Sequence, residues 1–198
     1  MEISAKTIKE LREATGAGVL DCRKALEQTG GDMDKAKAWL KDKGLASAAK
    51  KADRAAKDGL IGSYIHHNHR VAVLIEINCE TDFVARTEGF KTLTQSIAKH
   101  IAMANPKYIK VEDVPAAVLE EAQKGFRVEA LVAGKSGEEV DAAIAKKTGK
   151  FYEDNCLLAQ PYVLNDKQTI EDMIKQGISD LKENIVIRRF VRYELGAE

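Results

Sequence analysis

Hydrophobic positions along this chain alternate between helical and strand spacing. From Ser4 to Gly44 they recur at steps of three and four: Ile8 and Leu11, then Leu20, Ala25 and Leu26, then Met33, Ala36, Trp39 and Leu40. That period predicts three short amphipathic helices. Ser4 is placed to cap the first, Thr15-Gly16-Ala17-Gly18 to break it, Gly30-Gly31 to end the second, Asp32 to cap the third and Gly44 to stop it. Helices this short are marginal alone, so they must pack on one another. Ala46 to Lys57 is alanine-rich, carries Lys50, Lys51, Arg54 and Lys57, and predicts a solvated linker helix.

The spacing then changes to two. Gly59 to about His66 and Arg70 to Cys79 predict a hairpin turning at Asn68 and its neighbours. In the second strand Val71, Val73, Ile75, Ile77 and Cys79 share one face, and Arg70, Ala72, Leu74, Glu76 and Asn78 the other. Cys79 is therefore expected as a small buried hydrophobe. Glu80 to Arg86 follows this strand and precedes a helical stripe of Phe90, Leu93, Ile97 and Ile101, within about Glu88 to Met103. It reads as a strand-to-helix corner offered to solvent.

Asn105-Pro106 stops that helix. Pro115 opens another to about Ala133, closed by Gly134, and Ser136 or Gly137 opens the next to about Thr148. Rich in alanine and charge, these two predict an antiparallel pair with one polar face. Leu157 to Leu164, interrupted by Pro161, reads as an extended loop over the core. A helix from near Thr169 carries Ile170, Met173, Ile174 and Ile178. In a final strand, about Asn184 to Leu195, the apolar face is Ile185, Ile187, Val191, Tyr193 and Leu195, with Arg189 as the exception. Val186, Arg188, Phe190, Arg192 and Glu194 alternate with them. This strand is expected to join the hairpin as a third antiparallel strand, because a lone hairpin is marginal in water. The fold class is α+β, with a three-helix module (1–45), a linker helix (46–58) and an α+β core (59–198) whose three-stranded antiparallel sheet packs on helices.

A length of 198 residues suits a small helical module plus one such core. The 31 Lys and Arg balance 31 Asp and Glu, which removes the electrostatic footprint of a protein whose main partner is nucleic acid. A protein partner fits better. No apolar run approaches the roughly 20 residues that span a bilayer. Met1-Glu2-Ile3-Ser4 lacks the basic and apolar regions of a secretory signal. The expected location is the cytoplasm, away from membranes. Cys22, Cys79 and Cys156 are odd in number and lack a paired spacing, which suits reduced thiols and leaves an intermolecular bridge open.

Little in the chain suggests chemistry. His66, His67 and His69 with Cys79 are metal-ligand types, but His67 and His69 straddle a turn and no carboxylate or second cysteine closes a tetrahedral set. They read as surface histidines. A Cys79–His nucleophile pair fails because the strand pattern points Cys79 inward. Gly134-Lys135-Ser136 imitates the end of a phosphate-binding loop, but Glu129 stands where the pattern needs glycine. No residue set supports covalent or acid–base catalysis, and no metal or cofactor is expected. At the corner, Thr81 or Asp82 suits a helix N-cap. Phe83 either tucks back into the core or stands outward as an aromatic wedge for a partner. Val19 and Leu20 follow a glycine turn, which leaves at least one apolar chain exposed.

Thr81-Asp82-Phe83-Val84 resembles the signature of the elongation factor Ts family, the nucleotide-exchange factors of the translational GTPase elongation factor Tu. Leu11-Arg12-Glu13-Ala14-Thr15-Gly16-Ala17-Gly18 and Asp21-Cys22-Arg23-Lys24-Ala25-Leu26 resemble that family's ubiquitin-associated-like N-terminal module. The similarity continues through His100-Ile101-Ala102, Pro106-x-Tyr108-Ile109-Lys110, Gln160-Pro161-Tyr162-Val163 and Arg189-Phe190-Val191-Arg192-Tyr193-Glu194-x-Gly196. Longer members carry two core subdomains and a protruding helical hairpin. With one strand-strand-corner-helix unit, this chain resembles the short form.

The resemblance implies a guanine nucleotide exchange factor without chemical catalysis. Its partner would be elongation factor Tu with bound GDP. Asp82 and Phe83 would be a wedge, shaped by Thr81 and Val84, that displaces Mg²⁺ and loosens the phosphate site. Arg12, Val19, Leu20, Arg23, His100 and Val163 match family positions that contact the GTPase, Val19 and Leu20 standing where relatives often have methionine. Two other classes compete. An adaptor or ubiquitin-like-binding module would use the N-terminal helices alone, and an RNA-binding protein would use Lys50 to Lys57 and Arg188 to Arg192. Apolar residues on both sheet faces, with Leu74, Val186 and Phe190 on the second, cannot all be buried by one layer of helices. A homodimer pairing two sheets face to face is therefore expected.

Overall fold

The computed structural model describes residues 3–15 and 17–197; Met1, Glu2 and Glu198 lie outside the described residues, as does Gly16, one residue of the predicted break after the first helix. The N-terminal helices are α1 (Ala5–Thr15), α2 (Val19–Gln28) and α3 (Met33–Ala49). Ser4 Oγ accepts the Thr7 N–H at 3.1 Å, and Asp32 Oδ1 accepts those of Asp34 and Lys35 at 3.1 and 3.0 Å. Both predicted caps are in place. Leu11, Cys22, Ala25, Leu26, Ala36 and Leu40 share one small core, with Met33 and Trp39 packed against it.

Gly44 does not end the third helix. It lies against the Ser179 side chain, and this packing carries α3 through to Ala49 against glycine's local preference. Residues 50–57 are turns and extended chain where a linker helix was predicted.

Strands β1 (Asp58–Ile65) and β2 (Val71–Cys79) form the expected hairpin. The corner holds the four-residue helix α4 (Asp82–Ala85), followed by α5 (Glu88–Ala104). Helices α6 (Ala116–Val132) and α7 (Glu138–Asn155) pair antiparallel, Arg127 meeting Asp141 at 3.6 Å and Lys147 pairing with Glu129. Helix α7 runs past the predicted Thr148, because Gly149 inside a helix costs only about 1 kcal/mol. The predicted loop after it is instead a 3₁₀ turn (Leu157–Ala159) and a ribbon of β3 (Pro161–Tyr162) with β4 (Asn165–Thr169). Pro161 is tolerated in such a short edge strand.

Helix α8 (Ile170–Leu181) and strand β5 (Val186–Glu194) complete the chain, and the main sheet has the order β1-β2-β5. The Leu195 N–H donates to Arg70 O at 2.8 Å, which sets the end of β5 beside the start of β2 and makes the pair antiparallel. Val73, Ile75, Ile77 and Cys79 are buried as the alternation predicted. The last strand departs from its pattern. Ile185 and Ile187 are buried, but beyond the exposed Arg188 and Arg189 the more buried positions are Phe190 and Arg192, while Val191, Tyr193 and Leu195 are exposed. Two successive exposed residues invert the parity, as an extra residue in a strand does. Arg192 reaches inward to donate from Nε to Ala102 O at 3.2 Å.

The chain divides into two compact units of several segments each: Met1–Ile61 with Glu76–Leu93 and Asp172–Arg188, and Gly62–Ile75 with Thr94–Glu171 and Arg189–Glu198. In the first, Phe90, Val84, Ile174, Ile178 and Ile185 are buried; in the second, Ile97, Ile101, Leu157, Tyr162 and Ile170. Cys22, Cys79 and Cys156 are free and buried, so none presents a thiol for the intermolecular bridge left open by their odd number. Among the described residues no helix is long and apolar enough to cross a membrane.

Candidate functional site

The corner follows directly from its sequence. Strand β2 ends with Cys79 inside, and Thr81 stays extended at φ −133° and ψ 153°. Its Oγ1 accepts the Val84 N–H at 3.3 Å, so Thr81 rather than Asp82 is the N-cap of α4. Once the helix starts there, helical spacing turns Val84 and Ala85 inward and leaves Asp82 and Phe83 in solvent. Phe83 is 78% exposed and Val84 only 8%. Of the two alternatives for Phe83, the outward one holds.

Asp82 pairs with Arg86 at 2.8 Å, but both side chains are largely exposed, so the pair is worth at most about 1 kcal/mol. Its carboxylate is available to a partner. Beneath the corner, Glu183 accepts from the backbone of Glu80 and Thr81 and from the Thr81 hydroxyl. Cys79 donates its thiol to Thr81 O at 3.1 Å. Burial, and then the Glu183 charge, push that thiol's pKa up to about 11. It is a neutral structural donor and no nucleophile.

Four other predicted residues lie in the same unit, on α1 and α2. Leu20 is 81% exposed and Val19 53%, both at the first turn of α2 after Gly18. Arg12 is exposed, and Arg23 is exposed and paired to Glu27 at 2.9 Å. Between Leu20 and Arg23, Asp21 bonds Lys43, which holds its carboxyl below the usual range. Two apolar chains flanked by arginines make a surface suited to another protein.

In the second unit lies His100, which the resemblance implies as a GTPase contact. The ring is fully buried. Its Nδ1 accepts the Val163 N–H at 3.3 Å, which leaves Nε2 to donate to Gln160 Oε1 at 2.8 Å. Burial lowers the pKa and keeps the ring neutral. Val163, by contrast, is partly exposed. His100 therefore positions the Val163 backbone and has no surface of its own to offer.

The His66 and His67 rings meet at a tilt of 53° with centroids 4.2 Å apart near the β1–β2 turn, and His66 Nδ1 lies 3.1 Å from the Tyr64 hydroxyl. Among the described residues no group of three or more His, Cys, Asp or Glu is arranged to hold a metal. Glu183 and Asn184 were not predicted. Their partners lie about a hundred residues earlier in the chain, and no local pattern signals such a contact.

Residues 46–197 match the family described as "Elongation factor TS". The chain is 54% identical over 196 residues to elongation factor Ts of Coprothermobacter proteolyticus, covering 99% of this chain and all of that one. It is 53% identical over 194 residues to elongation factor Ts of Thermoanaerobacter sp. (strain X514), covering 98% and 95%. For elongation factor Ts of Nitratidesulfovibrio vulgaris the identity is 48% over 198 residues, covering 100% and 99%.

Proposed function

This chain belongs to the elongation factor Ts family of translation elongation factors, and on that premise we propose that it binds elongation factor Tu carrying GDP and drives the nucleotide off. Phe83 inserts between helices of the GTPase domain near its Mg²⁺, and Asp82 competes for the groups that organise the ion. The ion is displaced, the phosphate site loosens, GDP leaves and GTP takes its place. The chain performs no chemical catalysis.

Such a factor need not touch the nucleotide. It must bind the empty GTPase more tightly than the loaded one, and linkage then makes the nucleotide bind worse by the same free energy. Loosening GDP a thousandfold takes about 4 kcal/mol. The observation that carries this reading is the exposure of Phe83 on a corner whose cap and inner residues are fixed. An aromatic left in water gives up about 2 kcal/mol of burial free energy, which an interface recovers.

Residues 1–45 serve as the gripping module through Arg12, Val19, Leu20 and Arg23. Residues 46–58 link it to the core, 59–198, which carries the wedge and presents Val163, with His100 supporting it from inside. Exposed Ile65, Leu74, Val191 and Tyr193 on the sheet strands of the second unit favour a homodimer that covers them. The protein works in the cytoplasm with its GTPase, and neither nucleic acid nor membrane contributes. An adaptor that used the N-terminal helices alone would leave the corner without a role.

The test is stopped-flow release of a fluorescent GDP analogue from elongation factor Tu. Added chain should raise the release rate to a plateau. No acceleration at any concentration would reject the proposal.

A further inference from the structure

We infer that Glu183 is a positioning residue for the Asp82–Phe83 wedge, and that with Lys182 it ties the wedge to the helix bearing Val19 and Leu20; this rests on the exchange mechanism above and adds to it how the wedge is aimed. Three hydrogen bonds converge on the one carboxylate. The N–H groups of Glu80 and Thr81 each donate to Oε2 at 3.0 Å, and the Thr81 hydroxyl donates to Oε1 at 2.6 Å. Bonds to an ionised acceptor are shorter and stronger than neutral ones. The same Thr81 oxygen accepts the Val84 N–H that starts α4. Its proton is committed to Glu183 and a lone pair to the helix, so backbone and side chain are fixed together one residue before Asp82.

Asn184 extends the brace. Its N–H donates to Glu80 Oε1 at 2.7 Å, and its side-chain amide donates to the carbonyls of Ala52 and Arg54 at 3.2 and 2.8 Å. On the other side, Lys182 has φ +64°, a left-handed conformation disfavoured for a residue with a Cβ. That turn ends α8, the Lys182 N–H donating to Ile178 O at 3.1 Å, and sends the chain so that Glu183 meets Thr81. Lys182 Nζ lies 3.8 Å from Asp21 on α2, immediately after Leu20. Two consecutive residues thus reach both surfaces assigned to the GTPase. The exposed Lys182–Asp21 pair is worth at most about 1 kcal/mol, and it biases the spacing between grip and wedge so that binding energy at the first bears on the second.

Full-length variants should be titrated against elongation factor Tu carrying a fluorescent GDP analogue, reading the plateau release rate and the half-saturating concentration separately. Glu183→Ala is expected to lower the plateau about tenfold and to leave the half-saturating concentration within about twofold. Glu183→Gln keeps a carbonyl for the two N–H donors and should lower the plateau only about threefold; it serves the same tests if the alanine variant does not fold. With Phe83→Ala already in place, either change should have a clearly smaller effect, the part that remains passing through Asp82. An equal loss with and without Phe83 would mean that Glu183 acts by another route and would overturn the inference. So would an unchanged plateau for Glu183→Ala where Phe83→Ala alone lowers it. An unchanged plateau for Phe83→Ala would bring down the wedge mechanism and this inference together.

Discussion

Phe83 and Val84, consecutive residues of α4, face opposite ways: Phe83 stands 78% exposed and Val84 packs inside at 8%. Their truncations should therefore act on different properties. Val84→Ala removes two buried methyl groups and should cost about 1–3 kcal/mol of stability in chemical denaturation. Phe83→Ala should leave stability within about 0.5 kcal/mol. Equal losses for both would mean that Phe83 contributes to the fold.

Gly59 has φ +145°, and a Cβ there would stand 2.2 Å from Ile77 O and 2.8 Å from Asn78 Cα. Both are backbone atoms of the neighbouring strand and cannot swing away. Gly59→Ala should lose about 3 kcal/mol or more in urea unfolding. A midpoint unchanged from the parent would show that the hairpin yields without cost.

Among the described residues, Leu20 is the most exposed large apolar chain of the N-terminal helices at 81%. If it grips the GTPase, Leu20→Ala should raise the half-saturating concentration roughly tenfold and leave the plateau release rate within about twofold. A lowered plateau with unchanged half-saturation would move Leu20 from grip to wedge.

Burial holds the His100 pKa below its ordinary value. The unfolded ring takes its proton near pH 6.5, and the folded ring only at lower pH. As pH falls through that value the unfolded state binds more protons than the folded one, so stability drops. The contribution is fully present above about 6.5 and is lost progressively on acidification. His100→Gln cannot titrate, and its unfolding free energy should fall less steeply between about pH 7 and 5. Parallel profiles for the two proteins would assign the slope to other groups.

Leu74 is exposed on β2, the middle strand of the sheet, and Val191 and Tyr193 are exposed on β5 beside it. Light scattering at micromolar concentration should give twice the chain mass, and Leu74→Arg should give the mass of one chain. A monomeric parent protein would remove the dimer.

Features set by neighbours in sequence were legible before the structure. Ser4 and Asp32 cap where their positions implied, the β2 alternation holds, and α5 carries its stripe. Features set by distant neighbours were not. Helix α3 continues through Gly44 because of Ser179, and the corner is braced by Glu183 from the far end of the chain. Strand β5 shows a different limit: its letters alternate except at Arg189, but Arg188 and Arg189 both face solvent and the buried side changes after them. The family resemblance that marks His100 as a contact position carries no information on its burial. Its position four residues before Ala104 and one before Ile101 gave no polar face to hold it out, whereas Gln160 and the Val163 backbone satisfy both its nitrogens inside.

The most direct test of the mechanism is the plateau rate at which saturating chain releases a fluorescent GDP analogue from elongation factor Tu, parent against Phe83→Ala. A side chain that carries the wedge step should lower that plateau about thirtyfold or more when removed. A plateau equal to the parent's would contradict the assignment of nucleotide release to Phe83.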